Sequence, residues 1–92
     1  MSKQNLSVVP AFTGHGIGKY FHGPPDIYPC RNSYPGTMEA GMSFTIEPIV
    51  SGGSREVTIL SDGWTAVSPD NSRSAQAEHT VLVTQLGVDI LT

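Results

Sequence analysis

The chain has a single cysteine, Cys30, in 92 residues. An intramolecular disulfide framework is therefore excluded, and the usage fits a reducing compartment. Basic residues are scarce as well: Lys3, Lys19, Arg31, Arg55 and Arg73 are scattered, outnumbered by eight acids, and leave a formal charge of −3. With no basic stripe to neutralise a phosphate backbone, nucleic acid is not an expected partner. Long apolar runs are also missing. No stretch approaches the ~18 residues of a membrane span, and Met1–Thr13 contains no basic region leading into an apolar core, so neither a membrane span nor a secretory leader is expected.

Length is the next shortage. Ninety-two residues allow one structural unit, expected to occupy 1–92, and a chain of this size buries only roughly 60% or slightly more of the surface its unfolded form exposes. Its expected stability without a metal or partner is marginal, as for an incomplete domain. No repeat with a period of 20–50 residues and no low-complexity tract is present.

Glycine and proline, by contrast, are plentiful, at ten and seven residues, and they interrupt the chain too often for helices of ordinary length. The expected structure is β-rich. Leu6–Val9 is a short apolar run stopped by Pro10, and Phe44–Val50 alternates like a strand with one buried face. Ser-Gly-Gly-Ser at 51–54 reads as a hairpin connection into a strand over Arg55–Leu60, with Thr65–Val67 pairing after the Asp62-Gly63 turn. Glu78–Thr84 is rich in β-branched residues, and with Val88–Leu91 it predicts a final hairpin. The segment between Gly23 and Gly41, with Pro24, Pro25, Pro29 and Pro35, reads as a surface loop.

Several residues are candidates for chemistry. His15 lies in Gly14-His15-Gly16-Ile17-Gly18, where missing side chains let other groups approach the imidazole. By base rate the segment more often reads as a surface histidine in a glycine-rich turn. Glu47 interrupts an apolar strand just before Pro48, and it is either paired or metal-bound, or it simply points at water from the outer face. Glu78 and His79 precede Val81-Leu82-Val83, so strand alternation sends one to the core side and one away. Together His15, His22, Glu47, Glu78 and His79 are suited to a first-row divalent metal, in a site assembled from distant strands. Trp64, Phe21, Tyr20 and Tyr28 are either core aromatics or the wall of an apolar pocket. Ser74 lacks the Gly-x-Ser-x-Gly context of a nucleophile elbow, so serine hydrolysis is unsupported.

The ordered set Gly14-His15-Gly16-Ile17-Gly18, Phe21-His22, Gly41-Met42-x-Phe44-Thr45-Ile46-Glu47-Pro48, Gly63-Trp64-Thr65 and Ser74-Ala75-Gln76-x-Glu78-His79-Thr80, closing on Gly87-x-x-Ile90-Leu91-Thr92, resembles type 1 methionine aminopeptidase. Proline-cleaving relatives share the Gly-His-Gly and Thr-Ile-Glu-Pro elements. Ala75-Gln76-x-Glu78-His79-Thr80 and Gly63-Trp64-Thr65 resemble the methionine-specific group. Type 2 enzymes carry a large helical insertion for which this chain has no room. The resemblance implies the C-terminal portion of the α+β pita-bread fold, here predominantly antiparallel β, in an enzyme that removes initiator methionine from nascent polypeptides.

On the same basis His15 and Glu47 bind one divalent metal (Co, Mn, Fe or Zn) and Glu78 bridges to a second. Two cations roughly 3.5–4 Å apart polarise the scissile carbonyl and acidify water. Glu47 is also the implied general base, His22 a hydrogen-bonding group for substrate, Phe21 and Trp64 part of the methionine pocket, and Gln76 and His79 the groups that orient the ligands. The family's two aspartate ligands belong to the half preceding Gly14, so the missing N-terminal half is the implied partner and the isolated chain is expected to be inactive. Ala77 departs from the aromatic usual beside the bridging glutamate. The compartment expected is cytosolic or organellar. A second reading is a non-catalytic β-rich interaction module that binds the ribosome, another protein or a matching half through unpaired strand edges.

Overall fold

The computed structural model describes residues 5–92; the first four positions of the segment Met1–Thr13 lie outside the described residues. Every regular element among the described residues is a strand. In chain order these are β1 (Ser7–Val8), β2 (Gly14–Gly16), β3 (Gly23–Ile27), β4 (Ser43–Ile46), β5 (Ile49–Ser51), β6 (Thr58–Ile59), β7 (Ala66–Val67), β8 (Ser74–Gln76), β9 (His79–Val83) and β10 (Val88–Ile90). They form a five-stranded sheet ordered β10-β9-β4-β2-β3, a three-stranded sheet ordered β1-β5-β8 and a separate β6-β7 ribbon, all antiparallel.

The stretch Phe44–Val50 departs from the expected single strand. It breaks at Glu47-Pro48, leaving β4 in the large sheet and β5 in the small one. Pro48 has no N–H to give to a ladder. The opposing chain breaks at the same level, between β8 and β9, and the register is unchanged across the gap: Ile46 is opposite His79 before it, and Ile49 is opposite Gln76 after it. The two unladdered steps therefore set Glu47 opposite Glu78 and Pro48 opposite Ala77.

Two further expectations are corrected. Residues 51–54 do not join a hairpin, because β5 pairs with β1 and β8 whereas β6 pairs only with β7. The segment instead packs on the loop before β8: the Gly52 N–H donates to the Arg73 carbonyl (2.9 Å) and the Ser54 N–H to Asp70 Oδ2 (2.8 Å). Arg55–Leu60 accordingly contributes only the two residues of β6. The proline-rich segment is not all loop, since Gly23–Ile27 forms β3 at the edge of the large sheet, where a proline's missing donor is tolerated. The final hairpin forms as expected, with Val83 opposite Val88, and so does the β6-β7 pairing around Asp62-Gly63, where Gly63 takes a φ of 70°.

Strand alternation sorts the large sheet. Phe44 and Val81 are opposite one another, both buried, and with Val9 they are the buried hydrophobic core. Thr45, opposite Thr80, turns the other way and is also buried, at 1% exposure. Large apolar side chains that remain exposed include Tyr20, Phe21, Ile46, Trp64, Val88 and Ile90.

Candidate metal centre

Glu47 follows the last residue of β4 and Glu78 precedes the first residue of β9. Each is two positions from the Thr45/Thr80 pair, so period-2 alternation puts both carboxylates on that face. β2, the next strand beyond β4, brings in His15: Gly16 is opposite Phe44, and the neighbouring His15 N–H donates to Thr45 Oγ1 at 3.0 Å. One donor atom each from His15, Glu47 and Glu78 lie within 4.8 Å of one another.

Gly14 and Gly16 flank His15 for a steric reason. A Cβ at Gly14 would collide with the Thr45 carbonyl oxygen, and one at Gly16 with that of Pro24. Only glycines let β2 lie this close to its neighbours. The room these glycines leave is taken up by neighbouring main chain and not by groups approaching the imidazole, and β2 is a strand and not a turn.

The donor set fits a divalent cation. Ligands held at ~2.0–2.2 Å from one ion are at most about 4.4 Å apart, so sub-ångström side-chain adjustments close the group. His15 Nδ1 lies 3.1 Å from the Gly16 carbonyl, which can only accept, so the proton belongs on Nδ1 and Nε2 presents its lone pair. That Nε2 faces Glu47 Oε1 at 3.4 Å. Histidines that bind metals commonly donate their other N–H in this way. Two carboxylates directly opposite in an antiparallel register repel each other, and a cation between them removes the conflict. The side chains of His15 and Glu47 are 14% and 20% exposed, whereas Glu78 lies open to solvent.

His22 lies beside the group, its ring tilted against that of His15 with centroids 4.3 Å apart, and Phe21 packs edge-on against it at 4.4 Å. An open cleft of about 380 Å³ lined by Thr13, His15, His22, Gly23, Pro24 and Asp26 runs past these rings. Phe21 is 74% exposed, and Trp64, on the Asp62–Thr65 turn, is 88% exposed; the ring pairs among the described residues do not include Trp64. Tyr28 stacks on Tyr34 in the proline-rich segment. The hydrogen bonds of Gln76 and His79 run to the main-chain oxygens of Ala77 (3.2 Å) and Thr92 (2.8 Å). The side chain that bonds a member of the triad is Thr45, whose hydroxyl donates to Glu47 Oε1 at 2.8 Å. Sequence reasoning passed over Thr45; its position two residues before Glu47 on one strand was the available signal. Asp62 and Asp70 serve turns: the Thr65 hydroxyl, then the Thr65 and Trp64 amides, hold the Asp62 carboxyl below its usual range, and Ser72 and Ser54 do the same for Asp70.

Both the sequence and the fold are shared with known proteins. Over 90 residues the chain is 58% identical to mouse "Methionine aminopeptidase 1D, mitochondrial", covering 98% of this chain and 27% of the relative. The solved methionine aminopeptidases of Rickettsia prowazekii (45% identity, TM-score 0.90) and Thermotoga maritima (40% identity, TM-score 0.92) superpose on 97% and 99% of the chain, each over 37% of its own length. The chain thus spans about a quarter to just over a third of these relatives and corresponds to the C-terminal portion of their pita-bread fold. The profile described as metallopeptidase family M24 matches residues 1–85. On the strength of that match and of the fold shared with these structures, the chain belongs to metallopeptidase family M24.

Proposed function

We propose that residues 1–92 are the C-terminal part of a methionine aminopeptidase catalytic domain, supplying one side of a metal site that removes the initiator methionine from nascent polypeptides. The observation that carries this reading is the convergence of His15, Glu47 and Glu78, from three separate strands, with their donor atoms within 4.8 Å. His15 and Glu47 would hold one divalent cation and Glu78 would share in holding a second, with Co, Mn, Fe and Zn all compatible with imidazole and carboxylate donors. When bound, such ions polarise a carbonyl and shift the pKa of water toward neutrality.

The chain's own residues carry the remaining steps. Glu47 accepts the proton of the attacking water and delivers it to the leaving amine, as the water oxygen bonds to the carbonyl carbon and the carbon–nitrogen bond breaks. His22, beside His15, hydrogen-bonds the substrate near the scissile amide. Phe21 and Trp64 contribute to the methionine pocket, and their exposure here supports a pocket whose opposite wall comes from the rest of the fold. Gln76 and His79 steady the main chain on either side of Glu78. The partner is therefore the N-terminal half of the fold, and the compartment is the cytosol or an organelle. No helix of the structure is long and apolar enough to cross a membrane, among the described residues.

The test is complementation. The 92-residue chain alone, supplied with Mn²⁺ or Co²⁺, releases no methionine from a Met-Ala peptide. Mixed with the N-terminal half of a related methionine aminopeptidase it regains turnover, and Glu47→Ala in the mixture abolishes it, because groups acting as one catalytic unit fail together. Metal-dependent turnover by the chain alone, free of contaminating peptidase, overturns the partial-site reading. Turnover in the mixture that survives Glu47→Ala overturns the assignment of the base.

A further inference from the structure

Thr45 is the most deeply buried polar side chain near the triad, at 1% exposure, and its hydroxyl both donates and accepts a hydrogen bond. A hydroxyl has one proton to give, and this one goes to Glu47 Oε1 at 2.8 Å. One of its lone pairs receives the His15 main-chain N–H at 3.0 Å. A single oxygen therefore links two strands and two triad members, the backbone that carries the imidazole and the carboxylate itself. The link depends on β2 lying against β4, which Gly14 permits through its missing Cβ.

From this geometry we infer that Thr45 is a positioning residue, which sets the Glu47 carboxylate and the His15 ring in register before a cation arrives. The inference rests on the metal-site reading above and goes beyond it. Without the Thr45 hydroxyl, Glu47 is free to rotate away from His15, and the part-buried His15 N–H loses its acceptor. The hydroxyl is the active feature. The Thr45 methyl contributes packing only, so serine should substitute for threonine where valine cannot.

The experiment measures Mn²⁺ affinity of the 92-residue chain by calorimetry or chelator competition, with the absorption of bound Co²⁺ as a second readout of coordination. Folding without metal is followed by circular dichroism. Thr45→Val is expected to weaken Mn²⁺ binding by about 10–100-fold, the usual effect of losing a group that orients a ligand. Its Co²⁺ spectrum should change as well. Thr45→Ser should restore most of the affinity and the wild-type spectrum. Glu47→Gln and His15→Ala are run alongside: if these leave Mn²⁺ affinity unchanged, the metal-site reading itself fails and the inference falls with it. If they abolish binding while Thr45→Val binds like wild type, the site stands and the role of Thr45 is overturned. Should Thr45→Val not fold, the comparison passes to Thr45→Ser against Thr45→Ala, which differ only in the hydroxyl. A stronger affinity for the serine variant then supports the inference, and equal affinities overturn it.

Discussion

Alanine at Gly14 should force apart the two strands that carry the site. The added Cβ falls on the Thr45 carbonyl oxygen, with the Thr45 carbonyl carbon at 3.0 Å and Ile27 Cβ at 3.1 Å. The main obstacle is backbone, so no rotamer change relieves it, and β2 has to move away from β4. Overpacking of this kind costs typically ~1–3 kcal/mol. Movement of β2 also stretches the bond from the His15 N–H to Thr45, worth about 1 kcal/mol, and leaves buried partners unsatisfied. Against this stands only the ~0.4–1 kcal/mol that alanine gains over glycine by restricting the unfolded chain. The net loss is about 1–3.5 kcal/mol. In a small domain each kcal/mol lowers Tm by roughly 4–8 °C, and total stability here belongs at the low end of the ~5–15 kcal/mol range. The assay is urea unfolding by circular dichroism, with Gly18→Ala and Gly87→Ala as controls, because a Cβ at either position meets nothing within 4 Å. Gly14→Ala should unfold at clearly lower urea than both. Equal midpoints for all three would show that the close approach of β2 and β4 is not a constraint, and the reasoning about the glycines around His15 would fail.

Asp62 accepts hydrogen bonds from the Trp64 N–H (2.9 Å) and the Thr65 N–H (2.8 Å), and the Thr65 hydroxyl contributes most to holding its carboxyl below the ordinary 3.8. A carboxyl lowered by folding stabilises the turn fully above its unfolded value and loses that contribution as pH falls through the folded one. Its NMR titration midpoint should accordingly lie below 3.8, and a midpoint at or above that value would contradict the turn geometry. Trp64, 88% exposed, should fluoresce as a hydrated indole and be freely quenched by iodide. Adding the N-terminal half should shift its emission to the blue and protect it; an unchanged spectrum in a mixture that has regained activity would remove Trp64 from the proposed pocket.

The hairpin ending in β10 and the β6-β7 ribbon were legible in the sequence, because β-branched alternation and an Asp-Gly turn are local signals, whereas the single buried face expected of β4 missed that Thr45 is buried and Ile46 exposed. The break in Phe44–Val50 was half legible. Pro48 announced that something stops there, but the matching break between Gln76 and His79 has no proline and depends on a partner far along the chain. β2 was hidden for a related reason: Gly14-His15-Gly16 has no side chains with strand preference, and its conformation comes from the strands packed on both sides of it. β3 was masked by Pro24 and Pro25, which rule out a central strand but not an edge. For the site, residue types identified His15, Glu47 and Glu78 as candidates, and nothing local could say that they meet. Thr45 went unnoticed because a threonine in a strand is ordinary; only its 1% exposure and its two bonds make it distinctive.

The position of the acids explains why the fold tolerates them. Across an intact ladder, two glutamates in opposite register are a defect, and a longer strand over 43–51 would have had to absorb it. Here the ladder stops at the step they occupy and at the next, where Pro48 lacks a donor on one chain and the small Ala77 lies on the other, then resumes in the same register. The gap costs two rungs of hydrogen bonding and provides two carboxylates on one face beside an imidazole. Burial is graded across this group: His15 and Glu47 lie largely beneath the surface, tied to each other through Thr45, whereas Glu78 is open to solvent. In the proposed site that gradient matches the division of labour. The enclosed pair belongs wholly to this chain, and the exposed carboxylate is the one that must reach across to donors from elsewhere. The packing is unfinished as well: Val9, Phe44 and Val81 are the only buried hydrophobic residues among those described, while Ile46, Val88 and Ile90 lie on the surface of the large sheet. By strand alternation these last three lie on the Phe44/Val81 face, opposite the face of Glu47 and Glu78, so the surface that would cover them is distinct from the one that would complete the proposed metal site.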